Sequence, residues 1–351
     1  MAIDSWARLD VATINKHIRK LSEPVFRKRV LLQLLRQKGR ITYNHAGKKF
    51  DWRVRFRQMT PTAYDDMDVA SFPRTNAWKM AELPYRAYQL GESISKFEKL
   101  ANGSTTEGLI KIVSEITKLV TSSMTDFFCD EVYKDGNSTS YQSIHGLESF
   151  FGVSGTSGVL HAAVDSYAGL TTTLGTYGGS WSGTWPQGTG NLEYCFFTPL
   201  TVDADNAGWT GSTDTWAACC REQINYLLAY MQKLQSESPD LILMDTEYYR
   251  LFKETLVAKE QLQITSAPLT IGLGTKAINY EGIPVVTEYG VPANTCYALV
   301  TDKMEIRSMQ GQLFQMDTAE EIDNKTSKLS LDFFGNMSIE SPAFAGKIAN
   351  T

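Results

Sequence analysis

The chain has 351 residues, 42% of them hydrophobic and 21% charged, with a mean hydropathy of −0.24, an ordinary balance for a globular protein with material for two modest domains. No window holds the run of about 18 apolar residues that a membrane-spanning helix needs, and the opening MAIDSWARLD shows no secretory leader. The net charge of −5 hides an asymmetry: residues 1–60 carry 15 Lys and Arg against 4 Asp and Glu, the remainder 19 against 35, and 135–220 contains no Lys or Arg. A basic arm on an acidic body fits a nucleic-acid-facing surface, an arm that lies on a neighbouring copy, or an arm that pairs with its own chain. The five cysteines, Cys129, Cys195, Cys219, Cys220 and Cys296, form no C-x-x-C pair and are odd in number. They read as small buried thiols, not a disulfide framework or a zinc ribbon.

In chain order, residues 1–40 read as two helical pieces. In the second, Ser22 can cap, Pro24 suits the first turn, Val25, Phe26, Val30, Leu31, Leu34 and Leu35 form an apolar face, and Gly39 can end it. Its polar face carries Arg27, Lys28, Arg29, Arg36 and Lys38. A β-hairpin is expected next, with 41–43 leading to a turn at 44–47. Phe50, Trp52, Val54 and Phe56 then alternate with Asp51, Arg53, Arg55 and Arg57, which puts aromatics and arginines on opposite faces of a half-buried strand. Residues 58–75 lose all periodicity. Their Asp65, Asp66 and Asp68 lack the glycine and terminal glutamate of a calcium loop and read as a solvated tip. A second extended stretch covers 77–95. Together 41–95 form a long two-stranded excursion, and since an isolated ribbon is marginal in water, a neighbouring subunit is its natural support.

A helix is predicted over 104–133. Ser104 and Glu107 form a capping box, and Leu109, Ile112/Val113, Ile116, Leu119/Val120, Met124 and Phe127/Phe128 recur on one face; at 1.5 Å per residue it would be about 40 Å long. The stretch 135–211 is rich in Gly, Thr, Ser and aromatics and suits short strands and tight turns. Its Trp181, Trp185 and Trp209 either anchor a loop-rich subdomain or bind a ligand. A helix to about 235, a short buried strand at 241–244 and a second helix capped by Asp245 or Thr246 imply a small sheet with helices packed on it. Strands follow at 277–280 and 283–286 around Glu281-Gly282, and at 296–300, 303–307 and 313–316. Two long strands, 328–333 and 336–340, are expected to pair with each other across Gly335.

Local catalytic motifs are missing. The four histidines form no H-x-x-x-H pair, there is no G-x-S-x-G elbow, and no phosphate-binding or dinucleotide-binding glycine loop is present. No cofactor and no metal are expected, and the chain does not read as an enzyme.

The order of parts resembles the major capsid proteins of tailed bacteriophages, with their Hong Kong 97-type fold. The residues that carry the resemblance are LLQLLRQKGRITYNHAGKKFDWRVRF at 31–56, the helix from Ser104, PDLILMDTEYYRLFKETL at 239–256, INYEGIPVVTEYGVPANTCYALVTDKMEIR at 278–307 and SLDFFGNMSIESPAFAGKI at 330–348. The resemblance implies an α+β fold with an N-terminal arm (1–40), an extended loop (41–100), a peripheral domain with a spine helix (101–135), an axial domain (212–308) and peripheral strands (309–351). The Gly-rich 136–211 would be an insertion or surface subdomain. The implied function is a structural subunit that self-assembles, as hexamers and pentamers, into an icosahedral head shell around double-stranded DNA. Its partners would be a separate scaffolding protein and a portal protein, with no membrane; its place would be the virion, after assembly in the host cytoplasm. Inter-subunit contacts are expected from Arg27, Lys28, Arg29, Arg53, Arg55, Arg57, Asp65, Asp66 and Asp68. Lys48, Lys49 and Asn336 are residue types that some relatives cross-link, but nothing in the sequence singles them out. The alternative is a phage surface or tail adhesin using the Trp- and Gly-rich 170–190.

Overall fold

A computed structural model describes residues 29–68, 72, 74–97, 106–137, 142–209, 215–235, 237–259, 277–311, 313–321 and 326–350. The first helical piece of the arm, Arg27, Lys28 and the Ser104 cap lie outside the described residues.

The described chain opens with helix α1 (Val30–Gln37), whose Val30, Leu31, Leu32 and Leu35 are buried. Strand β1 (Ile41–His45) follows, then β2 (Lys49–Arg55), β3 (Trp78–Pro84) and β4 (Arg86–Ser95). The expected hairpin between 41–43 and 50–56 does not form. Instead β2 pairs with β3 in unbroken antiparallel register from Lys49↔Pro84 to Arg55↔Trp78, and β1 pairs in parallel with a distant strand at 304–309. The alternation that marks a strand carries no information about its partner, and beside that distant strand Ile41 is buried. The stretch 77–95 breaks at the Pro84-Tyr85 step: one half belongs to the ribbon, the other to a large sheet.

Helix α2 (Thr106–Glu131) has 26 residues and matches the long helix expected from the apolar period. Val120, Met124 and Phe128 are buried, and Phe128 meets Phe314 and Phe333 edge-on at 5.2 and 5.0 Å; Leu119 and Phe127, expected on the same face, are 59% and 42% exposed, because they lie at its edge, turned about 100° from their buried neighbours Val120 and Phe128. Through the Gly-rich stretch run β5 (Val153–Ser157), β6 (Leu160–Ala163), the two-residue pairs β7 (Ser166–Tyr167) with β8 (Leu170–Thr171) and β9 (Trp181–Ser182) with β10 (Thr189–Gly190), and then β11 (Leu200–Asp203).

Regular structure resumes with α3 (Trp216–Gln235), β12 (Leu241–Met244) and α4 (Thr246–Lys259). Asp245 caps α4: its carboxylate accepts the Thr246 N–H at 2.6 Å and its carbonyl the Tyr249 N–H at 2.9 Å. Strands β13 (Ile278–Tyr280) and β14 (Ile283–Thr287) form the expected hairpin. Glu281 and Gly282 both have positive φ, 52° and 87°, the backbone that a two-residue turn between twisted strands requires. Strands β15 (Thr295–Leu299), β16 (Met304–Met309), β17 (Gln315–Glu321), β18 (Thr326–Ile339) and β19 (Ala345–Ala349) complete the chain.

These strands build two large sheets. The first is organised on β18, a single strand of 14 residues. One edge of β18 carries β4 from Thr326↔Ser95 to Gly335↔Arg86; the other carries β17 along 326–332 and β16 along 335–339, with β1 outside β16. The expected turn at Gly335 is therefore absent. A Cβ at Gly335 would sit 2.5 Å from the Arg307 carbonyl oxygen, so the glycine admits a close strand approach where a turn was expected. The second sheet has eight strands in the order β13-β14-β12-β15-β19-β11-β6-β5. It is larger than the small sheet expected, because the Gly-rich stretch adds β5, β6 and β11 and the C-terminus adds β19 between β15 and β11. One core joins α1, α2, the ribbon and the β18 sheet; a second lies between α3, α4 and the eight-stranded sheet.

Candidate assembly surfaces

The β2–β3 ribbon is seated on its own chain. Its inner face buries Phe50, Val54, Ala81 and Leu83. Trp52 donates its indole N–H to the Glu340 carbonyl at 2.9 Å, and the Glu82 N–H reaches the Ala168 carbonyl at 2.9 Å. Beyond β2, Phe56 packs against Phe196 at 5.8 Å and Tyr177 at 6.4 Å, and Lys79 lies 5.3 Å over the Phe56 ring. Arg57 then makes a two-pronged ion pair with Glu193, Nε at 2.8 Å and Nη2 at 3.1 Å. The support expected from a neighbouring subunit is thus supplied by the Gly-rich stretch of the same chain. Glu193 was not found from the sequence, yet a signal existed: a basic ribbon needs carboxylates without competing cations, and 135–220 has no Lys or Arg.

Past Arg57 this support ends. All of 58–68 is exposed, and so are Phe72 and Arg74. Tyr64 is 77% exposed, Met67 95% and Phe72 91%. Asp65, Asp66 and Asp68 are brought together at this tip, where they shape a turn. The Asp68 carboxylate accepts the Asp65 N–H at 2.9 Å and the Asp65 carboxylate accepts the Asp66 N–H at 2.8 Å. Among the described residues no three His, Cys, Asp or Glu side chains converge as a metal site. Arg53 and Arg55 lie on the exposed face of β2, away from the aromatics.

Arg29 stands elsewhere, at the root of the arm. Its Nη1 donates to the Tyr289 carbonyl at 3.2 Å and its guanidinium lies 4.7 Å over the Tyr289 ring. The neighbouring Glu288 is buried and accepts the Leu31 N–H at 3.1 Å, so one carboxylate satisfies the open N-terminus of α1. Burial pushes the Glu288 carboxyl up to about 7, although the α1 amides and Arg29 pull against the shift. Behind it, Tyr133 is held un-ionised far above the usual phenol range by the same burial. At the other end of α1, Lys38 pairs with Asp240 and, at 3.1 Å, with Asp302, while Asp240 also accepts the Thr301 N–H at 2.9 Å. These pairs and Arg57–Glu193 show basic residues of the N-terminal third neutralised by the same chain.

The tryptophans are used internally. Trp209 is buried with its N–H on the Asp203 carbonyl at 2.8 Å, and Trp181 stacks on Tyr194 at 6.0 Å. Lys233 of α3 donates to three successive carbonyls, Pro186, Gln187 and Gly188, at 2.9, 2.7 and 2.6 Å, which pins the β9–β10 turn onto the helix. This is the anchoring alternative, and nothing supports the adhesin one. Asn336 is fully buried: its amide nitrogen donates to the Pro84 carbonyl at 2.8 Å and lies 2.8 Å from His145 Nδ1, and its oxygen accepts the backbone N–H of His145 at 2.8 Å. It is a structural hub, and Lys49 is paired with Glu82. Burial, with the charge of Arg86 next, pushes the His145 imidazole down to about 4, so the hub is neutral.

No family model matches the sequence, and no curated protein matches it. Solved structures do. The chain is similar to a chain of the cyanophage A-1(L) capsid asymmetric unit, with 14% identity, a TM-score of 0.58, and coverage of 88% of this chain and 89% of that one. It is similar to the capsid of a native GTA particle at 11% identity and a TM-score of 0.55, covering 91% and 90%. It is also similar to the capsid of Myoviridae phage XM1 at 10% identity and a TM-score of 0.51, covering 91% and 92%. At such identities the likeness is one of fold. From α1 to β19, the chain has the α+β fold of phage capsid subunits, the Hong Kong 97-type fold that its sequence resembles.

Proposed function

We propose that this chain is the major head-shell subunit of a tailed bacteriophage, a structural protein without catalytic activity. The observation that carries the reading is the ribbon: a rigidly seated root that presents an uncovered tip with Tyr64, Met67 and Phe72 exposed. Large apolar side chains clustered on a projection are an interaction surface, and in a fold otherwise found in capsids its partner is another copy of the chain. Head-to-tail contacts of this kind close into rings, here hexamers and pentamers of an icosahedral shell. Arg53 and Arg55 on the ribbon and Asp65, Asp66 and Asp68 at its tip would set the register between copies, with Arg27 and Lys28 of the arm as further candidates; Arg29 and Arg57 are engaged within the chain, on Tyr289 and Glu193. The lining of the shell would meet double-stranded DNA without sequence preference, a separate scaffolding protein would guide closure, and a portal protein would occupy one vertex. Assembly would take place in the host cytoplasm and the product would reside in the virion. Expression of the chain, alone and with a scaffolding protein encoded beside it, followed by electron microscopy tests the reading. Closed shells are expected; a protein that stays monomeric under every assembly condition would overturn it.

A further inference from the structure

The outer face of the β2–β3 ribbon carries four side chains that the fold leaves uncovered. Burial alternates along both strands, so the two faces separate: Phe50, Val54, Ala81 and Leu83 are buried, while Arg53, Arg55, Trp78 and Met80 are exposed. The register sets Arg55 directly across from Trp78 and Arg53 across from Met80, so the four form one patch. Trp78 is 55% exposed and Met80 46%. Toward the root Lys49 pairs with Glu82 at 2.9 Å and Asp51 lies across from Glu82, which leaves the positive charge of this face at its distal end. Arg55 uses only its Nε within the chain, on the Arg57 carbonyl at 3.3 Å, and among the described residues neither arginine pairs with a carboxylate. Arginine, tryptophan and methionine are the residue types enriched where proteins meet.

The ribbon tip has the opposite charge and the same apolar character. Within the five residues Tyr64-Asp65-Asp66-Met67-Asp68 stand three carboxylates and two exposed large side chains. Asp65 and Asp68 each accept one backbone N–H, which leaves most of their acceptor capacity open. Tip and face belong to one ribbon, yet both are exposed in the folded chain, so the tip does not cover its own face. Taking the shell function above as given, we propose that the tip of one copy docks on the outer ribbon face of the next, with Asp65, Asp66 and Asp68 against Arg53 and Arg55, and Tyr64 and Met67 against Trp78 and Met80. A second pair of exposed carboxylates, Asp126 and Asp130 of α2, fits this face less well, because Phe127 beside them is already met by the Tyr88 ring at 5.1 Å and by Lys134 at 5.9 Å. Each copy offers one face and one tip, so the contact is head-to-tail and repeats around a ring. Like charges also disfavour tip-on-tip and face-on-face meetings.

The test places Met67→Cys and Met80→Cys together in the full-length chain, whose own five cysteines are buried. Under the conditions used for assembly, a mild oxidant should link position 67 of one copy to position 80 of the next and give a ladder of dimers, trimers and higher multimers on a non-reducing gel. Either substitution alone measures the background. Adding Arg53→Glu with Arg55→Glu should lower the ladder yield about tenfold, because two attractions become repulsions. Asp66→Lys in that chain should recover part of the yield, since the Asp66 carboxylate is not used in the turn. All the substituted side chains are exposed, and an unchanged denaturation midpoint reports an intact fold; if the midpoint falls, Arg53→Gln with Arg55→Gln takes the place of the reversal and should lower the yield about threefold. Shells that form without the 67–80 link would overturn this contact and leave the shell function standing, and a ladder without shells would do the reverse. Linking that stops at dimers, or a ladder as abundant in the glutamate variant as in its parent, would also overturn the contact.

Discussion

At its root the β2–β3 ribbon buries Phe50 and Leu83, lends an indole to the Glu340 carbonyl and locks Arg57 onto Glu193; further on, Tyr64, Met67 and Phe72 are largely exposed to solvent. The same two-stranded segment thus has one part whose energetics belong to the subunit and another whose energetics belong to whatever the subunit meets. The root makes the ribbon's direction a property of the folded monomer. A tip that is preoriented in this way loses less freedom on docking, and preorganisation of that kind is worth affinity without any added contact. Substitutions at the two ends should therefore separate cleanly in what they damage.

The largest effect on the subunit is expected at the root. Phe50 is fully buried and meets Tyr85 edge-on at 4.3 Å. Phe50→Ala removes that ring and leaves a cavity, at a cost of about 3–5 kcal/mol. Chemical denaturation of the unassembled chain should show the loss. A midpoint close to wild type would mean that the ribbon root is not part of the cooperative core.

How much of this division was legible in the sequence depends on the range over which the physics acts. Alternation along 50–57 and the three-and-four spacing along α2 are local, and both elements appear where the pattern puts them. The β13–β14 hairpin was legible because Glu281-Gly282 states its own turn. Pairings that join distant residues were not: β1 with β16, β4 with β18, and the ribbon root with Ala168. Gly335 misled for a related reason, since a glycine that turns the chain and one that admits a neighbouring strand look alike in sequence. Arg57 was visible as a strand arginine, but its partner lies 136 residues away. Glu288 had no signature at all, because its role arises only when the arm root is laid against it.

The arm root gives the next largest effect, and one that depends on pH. The Glu288 carboxyl is pushed up to about 7 from its ordinary 4.5, so folding takes up a proton between those values. Its contribution to stability is fully present below the lower value and is lost as pH rises through 7. His145, pushed down to about 4 from 6.5, works in the opposite direction and only below 6.5. Between pH 6.5 and 8 the Glu288 effect therefore stands apart. Over the full titration, from pH 4.5 to above 7, this group's contribution falls by roughly 3 kcal/mol, and the part sampled between pH 6.5 and 8 is just under about 1 kcal/mol, whereas Glu288→Gln, which keeps a neutral acceptor for the Leu31 amide, should lack that slope. Parallel stability–pH curves for the two proteins would sink this account of the joint.

Arg57→Ala comes next. It opens the Glu193 pair, half exposed on the arginine side and nearly buried on the glutamate side, and should cost about 1 kcal/mol. A double-mutant cycle with Glu193→Gln isolates the pair; coupling near zero would assign the seating of the ribbon to Phe56, Tyr177 and Phe196 alone.

The smallest effect on the subunit is expected at the tip, and it is the one that most sharpens the comparison. Met67 and Phe72 have almost no contact surface within the chain. Replacing both with aspartate removes no buried group and should change subunit stability by less than about 0.5 kcal/mol. It also places two charges on a surface that, in a shell, must be desolvated against a second copy, where an unpaired charge is strongly unfavourable. The expected result is a chain that unfolds at the wild-type denaturant concentration yet forms no particles by electron microscopy or sedimentation. Wild-type shells from this variant would show that the tip is not the contact that closes them. Loss of subunit stability along with assembly would show that root and tip are one cooperative unit.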